Sequence, residues 1–442
     1  MADTTQPKTT IIVGAGVFGA SAALHHITKH PTSSITLIDR DPYTAPTRVA
    51  ASWDWNKVIR SDYLDPTYTR LGLEAQQLWR SSPVFQEYYH ESGVVWISPS
   101  TFGRTAIANF EAIGADVDVE MISVEETKKL GGGCFAEADY TGITEVLLDR
   151  SSGWAEAKEA LGSAIRAAVD AGVRYVAAEV AGLVFDEEGR CAGVRLADGE
   201  VLAADRVVLC TGAYTPALLI NSAPGDEKMH AGGRILAFGV TEGTVPLEEG
   251  KAGMLDTMPV GINDNPLGRG VDAGCLPLPK QGEIKTWGQI LFRNTVTHPL
   301  TGEVISTPPV AADYNQWDVP PVLKDDARHA LKSLFGDSIS GEKMNKFRIC
   351  WDAATPSGDF IVSPHSGCEG LFVATCGSFH GFKFLPVIGK YVVQMLDGEL
   401  DAELEKKWAW DRELPPTEGN KQWPTREYRE FMGQAAAGSG LS

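Results

Sequence analysis

The sequence is short of three things, and each shortage removes a class of protein. Its seven cysteines, Cys134, Cys191, Cys210, Cys275, Cys350, Cys368 and Cys376, are odd in number, scattered, and never spaced as CxxC. A chain of 442 residues needs no staples, so a disulfide framework is not expected, and neither is a metal site. No apolar run approaches the ~18 residues of a membrane span. Positive charge is scarce as well: 39 Lys and Arg stand against 58 Asp and Glu, a net charge of −19. That balance opposes nucleic acid or an anionic membrane as the main partner. Internal repeats are absent. Met1 to Thr10 is polar and leads straight into a strand, unlike a signal peptide. The last five residues, Gly438-Ser439-Gly440-Leu441-Ser442, are not the Ser-Lys-Leu peroxisomal address. A cytoplasmic monomer with a small-molecule partner is expected.

What is present is ordinary globular material, 43% hydrophobic and 22% charged, long enough for two or three domains. The pattern predicts a β-branched strand over Thr9 to Val13, a helix from Ala20 to His30 and a buried strand over Ile35 to Asp39. An amphipathic helix is predicted over Asp65 to Trp79. A capping box at Ser123 to Glu126 opens another, and an Ala-rich helix runs from Trp154 to Ala171. Short strands follow around Tyr175 and Leu183, then over Cys191 to Leu196 and Arg206 to Cys210. Residues 222–325 are rich in Gly and Pro, with scattered strand-like pieces. Asp325 to Phe335 reads as helix, Phe347 to Trp351, Phe360 to Val362 and Leu371 to Thr375 as strands, and Val387 to Leu396 as helix. The tail from Ala435 is expected to fray.

Between the first strand and helix stands Gly14-Ala15-Gly16-Val17-Phe18-Gly19. GxGxxG alone is weak, but here a strand precedes it, a helix follows, and Asp39 ends the next strand. Gly14 permits the tight turn. Gly16 lets a pyrophosphate approach amides at the helix N-terminus. Gly19 lets helix and strand pack closely, and Asp39 would accept hydrogen bonds from a ribose. These residues predict a dinucleotide site without choosing between NAD and FAD.

The choice comes from a resemblance. Ile12 to Gly19, Asn56-Lys57-Val58-Ile59-Arg60-Ser61-Asp62-Tyr63, Ser151 to Ala155, Val207 to Ala213, Gly282-Glu283-Ile284-Lys285, Arg348-Ile349-Cys350-Trp351 and His380-Gly381-Phe382-Lys383-Phe384-Leu385-Pro386 occur in that order. Together they resemble the flavin-dependent amine oxidases of the D-amino-acid-oxidase superfamily. The likeness is to the monomeric sarcosine oxidase group, with its fructosyl amino acid oxidases (amadoriases), saccharopine oxidases and pipecolate oxidases. The resemblance implies an α/β fold: a Rossmann-like FAD-binding domain from discontinuous segments, 1–64, 150–222 and 345–400. An α+β substrate domain with a mixed sheet would comprise 65–149 and 223–344, and 401–442 would be a C-terminal extension. It further implies that Gly14, Gly16, Val17, Phe18, Gly19, Asp39 and Arg40 hold the cofactor, joined by Val180 through its backbone at the adenine end, and by Gly212.

The same resemblance gives roles to residues that would otherwise read blandly. Cys350 on composition is a small buried hydrophobe; the family carries its flavin on a cysteine ten residues before a Phe-Ile-Val segment, here Phe360-Ile361-Val362. Its thiolate would need an electropositive site. Lys285 would ordinarily be a solvated lysine; in the family it sits over the flavin edge and promotes oxygen reduction, where burial without a carboxylate partner marks it as functional. Arg60 and Lys383 match the grip on a substrate carboxylate. Their bland readings are a salt bridge to Asp62 or Asp65, and a surface charge. Lys57 matches a basic position near the flavin, beside Asn56 and Asp54, whose roles stay unseparated. Trp53 and Trp55 either line the pocket or pack the core. His380 is either a family site residue or a satisfied loop histidine. Phe379 stands where the family commonly has Gly, in a loop with Gly381; its ring either packs away or narrows the pocket.

The expected function is oxidation of the C–N bond of a secondary-amine amino acid or related amine, with FAD bound covalently and O2 as acceptor. Products would be an imine and hydrogen peroxide. Two alternatives stay open here: an NAD-dependent opine-type dehydrogenase, which would be colourless, and a flavin-binding protein without turnover, which no amine would bleach.

Overall fold

The computed structural model describes residues 8–264, 272–309, 314–418, 420 and 423–432. The expected tail from Ala435 lies outside them. Strand β1, Thr10–Val13, is buried along its whole length. It pairs in parallel with β2, Ile35–Asp39, on one side and with Arg206–Leu209 on the other. Six strands form this sheet, in the order Ile361–Pro364, Leu371–Thr375, Arg206–Leu209, β1, β2, Arg174–Ala177. All pairs are parallel except the outermost one with Ile361–Pro364. Both of its faces are covered, so its strands read as continuous apolar runs.

Helix α1, Val17–Lys29, follows β1 after the glycine turn. It packs against Ala157–Asp170 and Ile388–Asp397. Gly389 is what admits the latter so closely, since a Cβ there would lie 2.0 Å from the Ser21 carbonyl oxygen. Helix α2, Pro66–Ser81, is capped by Asp65, whose side chain accepts from the Thr67 amide, with Pro66 at its first position. The capping box at Ser123 and Glu126 forms as expected, but the helix after it lasts only Val124–Thr127.

The larger sheet has ten strands among the described residues and is mixed. Leu236–Pro246 and Lys346–Ala354 pair antiparallel along nine residues, placing Val240 opposite Cys350 and Glu242 opposite Arg348. Glu283–Trp287 lies on the other side of Leu236–Pro246 and sets Lys285 opposite Thr244. A small third sheet joins β3, Lys57–Ile59, to Gly153–Ala155 and Tyr89–His90. Lys57 and Val58 of β3, and Arg60 and Tyr63 after it, line the site.

The strands over Tyr89–His90, Val94–Ile97, Val119–Ser123 and Glu145–Asp149, and the helix Phe102–Ala112, were not expected from the sequence. Among the described residues no helix is long and apolar enough to cross a membrane, and no group of His, Cys, Asp and Glu is arranged to hold a metal.

Candidate functional site

A single cavity of about 810 Å³ runs between the two large sheets. One end is the glycine turn. Gly14 has φ +97°, and a Cβ on it would lie 2.4 Å from the Cys210 carbonyl oxygen. A Cβ on Gly19 would lie 1.8 Å from the Gly14 carbonyl oxygen, so Gly19 serves the packing and does not line the cavity. Gly16 is the N-cap of α1 and has no side chain to satisfy the amides of the first turn; the first intrahelical bond runs from the Ala20 amide to the Gly16 carbonyl. Gly14, Gly16, Val17 and Phe18 all face the cavity. Uncapped amides at the positive end of a helix fit a pyrophosphate.

Asp39 is more occupied than expected. It accepts from the Ala15 amide at 2.8 Å and pairs with the Arg48 guanidinium at 2.8 Å. It still faces the cavity together with Arg40, Val180 and Gly212, and Arg40 lies 4.4 Å over the Tyr214 ring. Arg48 is buried and its Nε has no partner among the described residues. The donors, the acidic strand end and the bare turn together fit a dinucleotide.

The middle of the cavity holds a cluster of buried charges. In a strand, residues two apart share a face, and Arg348, Cys350 and Asp352 follow that rule; Cys350 and Asp352 line the cavity. Lys285 donates to the Asp54 carboxylate and to the Asn56 carbonyl at 3.0 Å, and lies 3.1 Å from Glu242. Lys57 reaches Asp54 at 2.6 Å and Glu242 at 3.1 Å, and Arg348 reaches Glu242 at 3.3 Å. Burial alone would raise the Glu242 carboxyl, but Lys285, Lys57 and Arg348 outweigh it and hold it well below the usual range. Burial depresses Lys57, and Asp54 and Glu242 more than restore it. The expectation of a lysine buried without a carboxylate is therefore corrected: Lys285 has two. A fully desolvated ammonium needs such compensation to remain charged. The sequence reading missed Glu242 because nothing local marks it. Its signal is the register opposite Arg348, which needs the pairing.

Burial is the largest influence on the Cys350 thiol and pushes it up to about 11, while Lys57 and Arg348 pull it down and Glu242 and Asp54 oppose them. Its sulfur lies 3.8 Å from the Ala51 carbonyl oxygen. Asn56 is buried and donates to the Pro277 carbonyl, so its side chain braces the hairpin that carries Lys285. Trp53 and Trp55 both pack on Trp317 and do not line the cavity.

At the far end stand Arg60 and Lys383. Arg60 is sandwiched between the rings of Tyr63 at 4.5 Å and Trp96 at 5.0 Å, and donates to Asp62 Oδ1 at 3.1 Å. The salt-bridge reading of Arg60 thus holds for Asp62, and Arg60 faces the cavity as well. Asp65 caps α2 and pairs with Lys407 instead. Lys383 is no surface charge: it is 5% exposed. His380 is satisfied on both sides, with Tyr63 Oη 3.1 Å from Nδ1 and the Gly358 carbonyl 2.9 Å from Nε2. Burial above all pushes it down to about 3, so it is neutral.

The loop before it departs from easy geometry. Cys376, Ser378 and Phe379 have φ of 66°, 46° and 70°, the only positive values at non-glycine residues among those described. The Phe379 amide donates to Asp352 at 2.9 Å, which helps hold the turn. Its ring stacks on Phe238 at 4.9 Å yet remains 40% exposed and lines the cavity. It packs and borders the pocket at once. Gly381 sits within the same turn, where a Cβ would lie 2.7 Å from the Gly377 Cα.

The chain is similar to L-saccharopine oxidase from Schizosaccharomyces pombe, 26% identical over 426 residues that cover 91% of this chain and 93% of that protein. It is 28% identical to the amino acid oxidase imqH of Aspergillus flavus, over 88% of this chain and 93% of the relative. Among solved structures, fructosamine oxidase from Aspergillus fumigatus (Amadoriase II) superposes with a TM-score of 0.76 at 26% identity, covering 92% of this chain and 90% of its own. A thermally stable fructosyl peptide oxidase mutant gives 0.82 over 97% and 99%, and at 22% identity it speaks for the fold alone. Residues 9–395 match the family model described as FAD dependent oxidoreductase, which decides for FAD over a nicotinamide cofactor. The chain belongs to that FAD dependent oxidoreductase family.

Proposed function

We propose that the chain oxidises the C–N bond of a secondary-amine amino acid or a related amine, giving an imine, which hydrolyses or cyclises, and hydrogen peroxide. The observation that carries this reading is the continuity of one cavity from the uncapped turn at Gly14 and Gly16, past Lys285 and Cys350, to Arg60 and Lys383. The relatives' names, saccharopine oxidase and fructosamine oxidase, point to the same bond type. FAD, when bound there, supplies the acceptor for a hydride equivalent from the carbon beside nitrogen and passes two electrons on to O2.

In this reading Arg60 and Lys383 bind the substrate carboxylate, and the rings of Tyr63 and Trp96 fix the Arg60 fork against rotation. Lys285 presents a fixed positive charge where oxygen gains negative charge, a use of preorganised electrostatics. Asp54 and Glu242 hold it in place. Phe379 and Trp96 exclude water at the substrate end.

We further propose that Cys350 carries the cofactor covalently. It is buried, faces the cavity, and has Lys57 and Arg348 as the nearby cations that favour a thiolate. Acid-precipitated protein is expected to keep its yellow colour in the pellet, and Cys350→Ala to lose it to the supernatant. Colour wholly in the supernatant of the parent refutes attachment.

The test of the activity is a panel of L-saccharopine, L-pipecolate, N-methyl amino acids and fructosyl amino acids, scored by peroxide release and by anaerobic bleaching of the yellow protein. At least one is expected to bleach it. A yellow protein that none of them bleaches would be a flavin-binding protein without turnover.

A further inference from the structure

Lys383 differs from every other buried cation of the site. Lys285, Lys57, Arg348 and Arg60 each have a carboxylate within ion-pair distance. Among the described residues Lys383 has none; its Nζ donates to the His380 carbonyl oxygen at 3.0 Å. Facing it are Arg60, Asp62 and Tyr63 from the segment after β3, and His380 and Phe384 from its own turn. Asp62 is committed to Arg60 through Oδ1, and its buried Oδ2 has no hydrogen-bond partner among the described residues. The aromatic rings of Tyr63 and Phe384, 5.4 and 5.7 Å from Nζ, give only weak compensation. Burial first, and then the Arg60 charge, hold Lys383 well below the ordinary lysine range.

At this end Arg60 already has Asp62 as its partner, Asp272 and Asp149 lie near that pair, and an ammonium on Lys383 would have only a carbonyl oxygen to meet it. Docking a carboxylate here calls for one more positive charge. An amino acid with a protonated secondary amine brings one proton too many, because its nitrogen lone pair must be free before the C–N bond can be oxidised. A single transfer satisfies both needs.

We propose that Lys383 takes the proton from the substrate ammonium as the carboxylate docks, and binds that carboxylate as the resulting cation. One N–H bond of the ammonium breaks and one Nζ–H bond forms. No electrons move, and no proton is exchanged with solvent. The proposal rests on the amine-oxidase reading above and adds to it the substrate's protonation state: a zwitterion with its ammonium next to the carboxylate. It also gives Lys383 and Arg60 different jobs, since a guanidinium cannot lend or take a proton at working pH.

The test has two arms. In the first, yellow holoenzyme labelled with ¹³C at the lysine ε carbon is titrated without substrate. One resonance, missing from Lys383→Met and Lys383→Gln, is expected at the neutral-amine position at pH 8. An ammonium position there overturns the proposal. In the second, anaerobic bleaching by the most active amine of the panel is followed from pH 6.5 to 10. The parent rate at saturation should be nearly flat. Lys383→Arg supplies the cation of the docked state from the outset but cannot accept a proton. It should bind the amine within a few fold of the parent, yet slow by about tenfold for each pH unit below the substrate's own pKa. A Lys383→Arg profile that overlays the parent overturns the proposal and leaves Lys383 as a clamp. If no amine bleaches the protein, the amine-oxidase reading fails, and the first arm still decides the charge of Lys383.

Discussion

Asp54→Asn tests whether the charge cluster is a compensated unit. The carboxylate is wholly buried and meets both Lys285 and Lys57. Neutralising it leaves three cations, Lys57, Lys285 and Arg348, facing the single carboxylate Glu242. Removing one partner of a buried pair costs about 3–5 kcal/mol, because the other charge stays desolvated. Asp54 serves two lysines, so the upper part of that range is expected. Against a total stability of about 5–15 kcal/mol, the loss should be plain in guanidinium unfolding of the yellow protein. The double variant Asp54→Asn/Lys285→Met removes one charge of each sign and restores the net balance. It should recover about 2 kcal/mol of the single variant's loss, within the range of coupling energies for residues in contact. A loss below about 1 kcal/mol for Asp54→Asn, or strict additivity in the double variant, would refute the idea that Asp54 compensates the buried lysines.

Other outcomes follow from the same site. Lys285→Met should slow reoxidation of the reduced protein by O2 by about 10²–10³-fold, since a unit charge at roughly 4–5 Å and an effective dielectric of 20 is worth about 3–4 kcal/mol; anaerobic bleaching should change far less, and equal losses in both halves would assign Lys285 to structure. His380 is held neutral at about 3 in the folded chain, against about 6.5 unfolded. The unfolded chain therefore binds the extra proton, and His380 by itself should cost the fold about 1.4 kcal/mol per pH unit from about 6.5 down to about 3. His380→Gln should flatten that part of the unfolding profile, and an unchanged slope would contradict the assignment. Phe379→Gly removes the strain of a φ of 70° and the stack on Phe238. Bulky amines such as fructosyl amino acids should gain rate relative to small ones on the panel, and an unchanged ranking would make Phe379 packing only.

The parts of the fold that the sequence revealed are the local ones. β1, its turn, α1 and β2 are adjacent in the chain, and their apolar runs and glycines sit where the backbone needs them. Leu236–Pro246 was hidden for a physical reason: ten of its eleven residues are buried, so it shows no alternation, and its glycines read as turns. Those glycines are there because Phe292 and Met344 lie against them. The Val94–Ile97 strand is buried along its length too, leaving no period to read. In the site, Arg60, Lys285, Cys350 and Lys383 were legible through their motifs. Their partners were not. The Lys285–Asp54 and Lys57–Glu242 contacts join residues 231 and 185 positions apart, and no local pattern encodes a contact at that range. The lack of a carboxylate beside Lys383 among the described residues is equally invisible in sequence, because it depends on what fails to surround the side chain.

The order of strands beside β1 also bears on when the protein can first hold anything. The Arg206–Leu209 strand closes one flank of β1, and Leu371–Thr375 closes the flank beyond it. At roughly 5–20 residues per second of synthesis, that last strand emerges about 20–75 s after the first. Until then the sheet keeps an apolar parallel edge open to other chains, first at β1 and then at Arg206–Leu209, and the cavity beside the glycine turn is incomplete. Ligand capture is therefore a late event in this chain's biogenesis. Truncations before residue 371 should be recovered as aggregates rather than as a yellow, FAD-binding fragment.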